Sequence, residues 1–205
     1  MDPPTRARAA HLGPELRRPL LLDAALPLFA RDGYEAVSMQ AIANAAGVSK
    51  PVLYSCYASK EELFEELMRR EERKLWHMVE DSVPAPGALG DTEDLLRHGL
   101  AALLRAVVAA PDAFRVIYLQ RHGENRIERG REHWEQRMAE VLAAWTKLPD
   151  RETTLLGRML VALGELGFRV QLEEPGQWQP DALAGYLARV VVRGIPKSGD
   201  APLTG

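Results

Sequence analysis

Three serines are placed to cap helix starts, at Ser38, Ser49 and Ser59. A serine at a helix N-cap accepts from backbone N–H groups that the first helical turn leaves without partners. Starts this close together leave room between 38 and 59 for only two short helices. They are expected at 38–45 and 49–57, with Gly47 making the turn between them. Pro51 falls in the first turn of the second, where a missing N–H costs little. Glu62, three residues after Ser59, completes a capping box for a longer helix, and Glu61 and Glu62 suit its positive end. Two short capped helices joined by a tight turn form a helix-turn-helix pattern.

Helical spacing continues on both sides. A first helix is expected at 17–31, with Leu21, Leu22, Ala25, Leu28 and Phe29 on one face, ended by Asp32-Gly33 and kinked at Pro27. The helix from Ser59 runs to about 80. Residues 83–90, rich in proline and glycine, read as a linker. Further helices follow at 91–110, 111–122, 127–148, 151–173 and 180–192. No alternating run marks a strand, so the fold class is all-α. The organisation expected is a flexible arm at 1–16, a helix-turn-helix domain at 17–80, a larger helical domain at 81–193 and a flexible tail at 194–205.

The chain has 205 residues and a formal net charge of −3. That balance excludes chain-wide affinity for polyanions, so a nucleic-acid site has to be a local basic face. Cys56 is the only cysteine, which fits a reducing cytoplasm, and it reads as a neutral structural thiol rather than a redox switch. No apolar run is long enough to cross a bilayer, and the N-terminus is not a signal peptide. His122, His133 and Glu132 lack metal-site spacing, and the charged run 121–131 reads as a solvated junction. With no nucleophile elbow or catalytic triad, the chain is not expected to be an enzyme and needs no cofactor.

The stretch Leu22-Asp23-Ala24-Ala25-Leu26, Leu28-Phe29-Ala30, Gly33-Tyr34, Ser38, Ile42-Ala43, Ala45-Ala46-Gly47-Val48-Ser49-Lys50, Leu53-Tyr54 and Ser59-Lys60-Glu61-Glu62-Leu63 resembles the N-terminal domain of the tetracycline-repressor (TetR) family. The resemblance covers about residues 17–68. It implies a three-helix DNA-binding domain followed by a larger helical domain for ligand binding and dimerisation. By that resemblance Ser38 and Gln40 lie near phosphates and the groove edge. Ser49, Lys50, Pro51, Val52, Tyr54 and Ser55 lie on the recognition helix, and Tyr54 and Lys60 resemble the family's phosphate contacts. The chain departs from the family at Cys56, where histidine is usual, at Tyr57, often phenylalanine, at Pro51-Val52, and at Pro19 and Pro27. The DNA sequence read therefore does not follow from the family.

In the second domain Phe114, Tyr118, Trp134, Trp145 and Phe168 are aromatic positions suited to a pocket between helices, with His98, Arg115 and Glu165 as polar partners. Gly157 and Gly164, flanked by Leu160, Val161 and Phe168, mark a close-approach stripe. Leu183, Tyr186, Leu187, Val190 and Val191 make an apolar face on the last helix. Both stripes are expected at a dimer interface, as the family's four-helix bundle implies. The function expected is that of a cytoplasmic homodimeric regulator, a repressor released from double-stranded operator DNA by a small-molecule effector. The competing reading is a helical enzyme or small-molecule carrier with an incidental helix-turn-helix.

Overall fold

A computed structural model of the chain describes residues 13–80, 91–119, 132, 135–143 and 148–194. Among these residues the regular structure is helical, without strands. α1 spans Pro14–Ala36, α2 Met39–Ala45, α3 Lys50–Tyr54 and α4 Lys60–Glu80. α5 spans Thr92–Ala109, and α6, Pro111–Phe114, runs into a π-helical turn at Arg115–Leu119. α7 covers 135–143, α8 is Asp150–Glu173 and α9 is Pro180–Arg193. The linker expected at 83–90 and the tail beyond Gly194 lie outside the described residues, as does the arm apart from its last few positions.

Two local expectations for the first helix are corrected. It starts at Pro14, because proline at the first helical position lacks only an N–H that would have no partner anyway. Residues 14–16, expected in the arm, are therefore helical. The backbone keeps helical angles through Pro27 and leaves them at Gly33, whose φ of 82° belongs to the left-handed region that glycine occupies at little cost.

The chain divides into two compact units. The first holds the described residues through Lys74 together with those from Asp112 onward in α6 and its π-helical turn. This differs from the division expected after residue 80, since 112–119 groups with the N-terminal elements. The second unit holds α5, α7, α8, α9 and the last turns of α4.

In the first unit α1, α2, α3 and α4 converge on Leu21, Ala25, Phe29, Ile42, Leu53, Tyr57, Leu63 and Leu67, all fully buried. Phe29 and Phe64 meet edge to face at 5.0 Å, and Tyr34 closes on Phe64 at 4.8 Å. The π-helical turn packs against α1 and buries Phe114, Val116 and Ile117.

In the second unit α5 packs on α9 through Leu100, Ala101, Leu104, Leu183, Ala184 and Leu187, with Leu163, Val170, Trp178 and Tyr186 against the cluster. Glycines let α8 approach its neighbours. A Cβ at Gly157 would lie 2.7 Å from the Glu135 carbonyl oxygen, and one at Gly164 2.8 Å from a Leu103 methyl group. Part of the two stripes expected at a dimer interface is used within the chain itself. Gly157, Gly164, Phe168, Leu183 and Leu187 face this chain's own helices and are buried. The large apolar side chains left outside are Leu155, Met159 and Leu166 on α8, and Val191 and Val192 on α9. Period-3.6 spacing identifies apolar faces, but a helix that is apolar on two sides does not disclose which side meets its own chain.

Candidate nucleic-acid interface

The first short helix is fixed as its sequence implies. The Ser38 hydroxyl accepts from Ala41 N at 3.1 Å, while Ile42 and Ala43 turn inward. Gly47, at φ 68°, makes the reversal, and Val48 N donates to the Ala43 carbonyl at 2.9 Å. α3 follows at once. Ser49 occupies its N-cap position, yet its side chain makes no capping bond, and the helix is five residues long, ending at Tyr54 rather than 57. Leu53 alone of these five is buried. Ser49, Lys50, Pro51, Tyr54 and Ser55 are exposed and Val52 is half-buried. The Lys50 ammonium lies 5.8 Å from the Tyr54 ring, so a cation and an aromatic hydroxyl share the outward face. The Ser55 hydroxyl donates to the Val52 carbonyl at 2.7 Å. In α2, Gln40 is exposed and donates to Asn44 Oδ1 at 2.9 Å.

α4 begins with a reciprocal cap. Glu62 N donates to the Ser59 hydroxyl at 3.1 Å, and the Glu62 carboxylate accepts from Ala58 N at 2.7 Å. Lys60 has a task that its resemblance to a phosphate contact does not imply. Its ammonium donates to the Tyr34 carbonyl at 2.7 Å and lies 4.2 Å from the Tyr34 ring, holding the corner between α1 and α2. Cys56 is buried, with its sulfur 4.0 Å from the Ser55 hydroxyl.

Sequence reasoning missed the polar groups that tie these helices together. Arg18 on α1 donates to the Cys56 carbonyl at 2.9 Å and to Glu66 at 3.0 Å. Arg70 on α4 donates to Asp23 at 2.7 Å and to the Pro19 carbonyl at 3.2 Å. Each bond spans dozens of residues, so no local pattern announces it. The Tyr57 phenol is pushed well above its usual pKa, first by burial and then by the Glu66 carboxylate, and stays protonated at neutral pH.

The described positions named for an effector are divided between the two units. Phe114, Arg115 and Tyr118 belong to the first unit and His98, Glu165 and Phe168 to the second. Phe114 is buried and stacks with half-buried Tyr118 at 5.8 Å, while Arg115 pairs with Asp112 at 3.3 Å. Phe168 is buried, and His98 and Glu165 are half-buried. Trp134 and Trp145 lie outside the described residues. Among the described residues no group of three His, Cys, Asp or Glu could hold a metal ion, and no helix is long and apolar enough to cross a membrane.

Residues 21–67 match the family described as bacterial regulatory proteins, tetR family. The HTH-type transcriptional activator FasR of Mycolicibacterium smegmatis is 33% identical over 111 residues, which cover 54% of this chain and 49% of FasR. The regulator YhgD of Bacillus subtilis is 36% identical over 72 residues, 33% of this chain and 38% of YhgD. The matched region thus spans half or less of the length of these curated relatives. A TetR-like transcriptional regulator from Rhodococcus sp. RHA1 superposes with a TM-score of 0.73 at 28% identity, covering 90% of this chain and 98% of that one. PfmR from Thermus thermophilus, at 24% identity and a TM-score of 0.64, covers 86% of this chain and 99% of its own and shares the fold. The helix-turn-helix, with its polar face turned outward, lies within the stretch that matches the tetR family, and the chain shares its fold with a TetR-like transcriptional regulator along most of its length.

Proposed function

We propose that the chain acts in the cytoplasm as a homodimeric, ligand-responsive regulator that binds operator DNA through α3. The observation that carries this reading is the exposed row Ser49, Lys50, Pro51, Tyr54 and Ser55 on a helix whose inward residue, Leu53, is buried. Side chains near the start of a recognition helix meet base edges in the major groove, while neighbouring donors hold phosphates. Lys50 supplies the charge and Tyr54 and Ser55 supply hydroxyls, with Ser38 and Gln40 at the groove edge. Val52 offers a methyl surface for a thymine. Lys60 contributes through the corner it holds at Tyr34.

The second copy is assigned to the exposed apolar residues Leu155, Met159 and Leu166 of α8 and Val191 and Val192 of α9. A monomer would leave them in water, and a symmetric partner covers them. Two recognition helices then address half-sites about one helical turn, or ~34 Å, apart. A small apolar or amphipathic effector acts by favouring a conformation in which that spacing no longer fits. Phe114, Arg115, Tyr118, His98, Glu165, Phe168, Trp134 and Trp145 remain the residues proposed for it. The chain is read as a repressor. Activation is the second reading, favoured by the relative FasR, which is named as an activator.

Titrating the full chain against the duplex upstream of its own gene at several salt concentrations tests this. The expected result is a complex tighter than with unrelated DNA, whose affinity falls linearly on a log–log salt plot. Equal binding to both duplexes favours the enzyme or carrier reading. A reporter fused to that upstream DNA then gives the sign of regulation.

A further inference from the structure

We propose that Arg18, far from the reading face in sequence and on a different helix, is a positioning residue for DNA recognition. It fixes the exit of α3 and thereby the angle at which that helix is presented. The inference rests on the reading of α3 as the DNA-contacting helix.

A helix of five residues cannot hold its own shape in water, so its orientation is set by what grips its two ends. At the start the grip is the Gly47 turn, because the Ser49 side chain adds no capping bond. At the exit the grip is built from three successive residues. The Cys56 carbonyl accepts from Arg18 Nη2 at 2.9 Å. Tyr57 is fully buried, with the Arg18 guanidinium carbon 5.0 Å from its ring centroid. Ala58 N donates to the Glu62 carboxylate at 2.7 Å. The other Arg18 nitrogen donates to Glu66 at 3.0 Å, and Glu62 stands 3.8 Å away. One planar guanidinium therefore joins α1, the backbone just after α3, an aromatic face and α4. Its rigid fork does this at fixed angles, which a flexible ammonium cannot reproduce.

The consequence falls on specificity more than on attachment. Tyr54 and Ser55 immediately precede the gripped residues, so loosening the exit lets the reading face tilt. Hydrogen bonds to base edges tolerate little tilt, whereas phosphate attraction is long-ranged and tolerates more. Loss of Arg18 should therefore lower the preference for one DNA sequence over another while leaving general attraction to DNA in place.

The experiment uses the full chain with Arg18→Gln, Arg18→Lys and Glu66→Gln. The DNA probes are a duplex selected by the wild-type chain from a random pool and a scrambled duplex of equal length. For Arg18→Gln, the ratio of affinities for the two probes should fall about tenfold, with scrambled-duplex affinity and its salt slope unchanged. Arg18→Lys should fall between it and the wild type. Glu66→Gln, which keeps an acceptor, should stay near the wild type. Amide exchange gives a readout independent of DNA: residues 54–58 should exchange about tenfold faster in Arg18→Gln, while α5, α8 and α9 keep their protection. An unchanged affinity ratio in folded Arg18→Gln, or acceleration spread evenly over the whole chain, would overturn the proposal. A wild-type chain that prefers no selected duplex would sink the reading of α3 as a DNA-binding helix. The exchange measurement would still decide whether Arg18 grips the exit of α3.

Discussion

The two units hold their helices by different means. In the first, side chains bonding to backbone cap α2 and α4 at Ser38–Ala41 and Glu62–Ala58 and tie the short helices to α1 and α4 at Lys60–Tyr34 and Arg18–Cys56, around an apolar core. In the second, the long helices α5, α8 and α9 meet through apolar contact and glycine-permitted approach. Their charged pairs, Arg105 with Asp181 and Arg193 with Glu93, lie at the exposed edges. The difference follows from length. A helix of five or seven residues buries too little surface to fix itself and depends on capping and clamping bonds. A helix of 18 or 24 residues buries enough apolar side chain that polar ties become marginal. The short helices of the first unit are thus set by directional bonds, which fix angles, and the long helices of the second by packing, which fixes distances.

The largest expected effect breaks the packed unit. Leu187→Glu places a carboxylate in the α5–α9 cluster and should destabilise the chain by about 5 kcal/mol, seen as loss of the cooperative denaturant transition. Met159→Glu, on the outer face of the neighbouring helix, should leave that transition nearly in place and instead lower the mass in solution from dimer to monomer. If both variants stay folded dimers, the assignment of inner and outer faces fails.

Next in size is a pair of glycines. An added methyl group at Gly157 would run into the backbone of α7 at Glu135 and Ala139, so Gly157→Ala should cost about 3 kcal/mol. At Gly164 the obstacle is the tip of the Leu103 side chain, which can turn away, so Gly164→Ala should cost about 1 kcal/mol. Thermal unfolding of the two variants checks the order, and equal losses would mean that α7 and α5 yield alike.

The smallest contrast sharpens the account of the first unit. Ser38→Ala deletes an observed capping bond and should cost about 1 kcal/mol. Ser49→Ala deletes none and should stay within about 0.5 kcal/mol of the wild type, while weakening DNA binding if its hydroxyl faces the groove. A Ser49 variant less stable than the Ser38 variant would contradict the capping pattern described.

Much of the first unit was legible in the sequence because its rules are local. A serine three residues before an N–H, a glycine at a turn and a glutamate three residues after a cap are read from neighbours, and the starts of α2 and α4 were found this way. The same logic expected Ser49 to cap, and the position was correct although the hydroxyl is not used. The break in α1 falls at Gly33, as the Asp32-Gly33 pair implies, whereas the start at Pro14 and the unkinked backbone at Pro27 depart from the expectation. The long helices α8 and α9 were found nearly to the residue from their spacing. Of their expected dimer faces, Gly164 and Leu187 are buried within the chain while Val191 is exposed, because Gly164 and Leu187 look alike whether the neighbour is α5 or another chain. Arg18 was invisible for a related reason: its partners Cys56 and Glu66 come near only once α1, α3 and α4 have packed.

The central claim is that α3 is a sequence-reading helix presented twice by a dimer. Its most direct test is selection of duplexes from a random pool by the full chain, followed by sequencing, with a Lys50→Ala/Tyr54→Ala variant run beside it. The account predicts enrichment of an inverted repeat with half-site centres about one helical turn apart, and no enrichment by the variant. A pool that emerges unenriched, or the same repeat selected equally well by the variant, would contradict it.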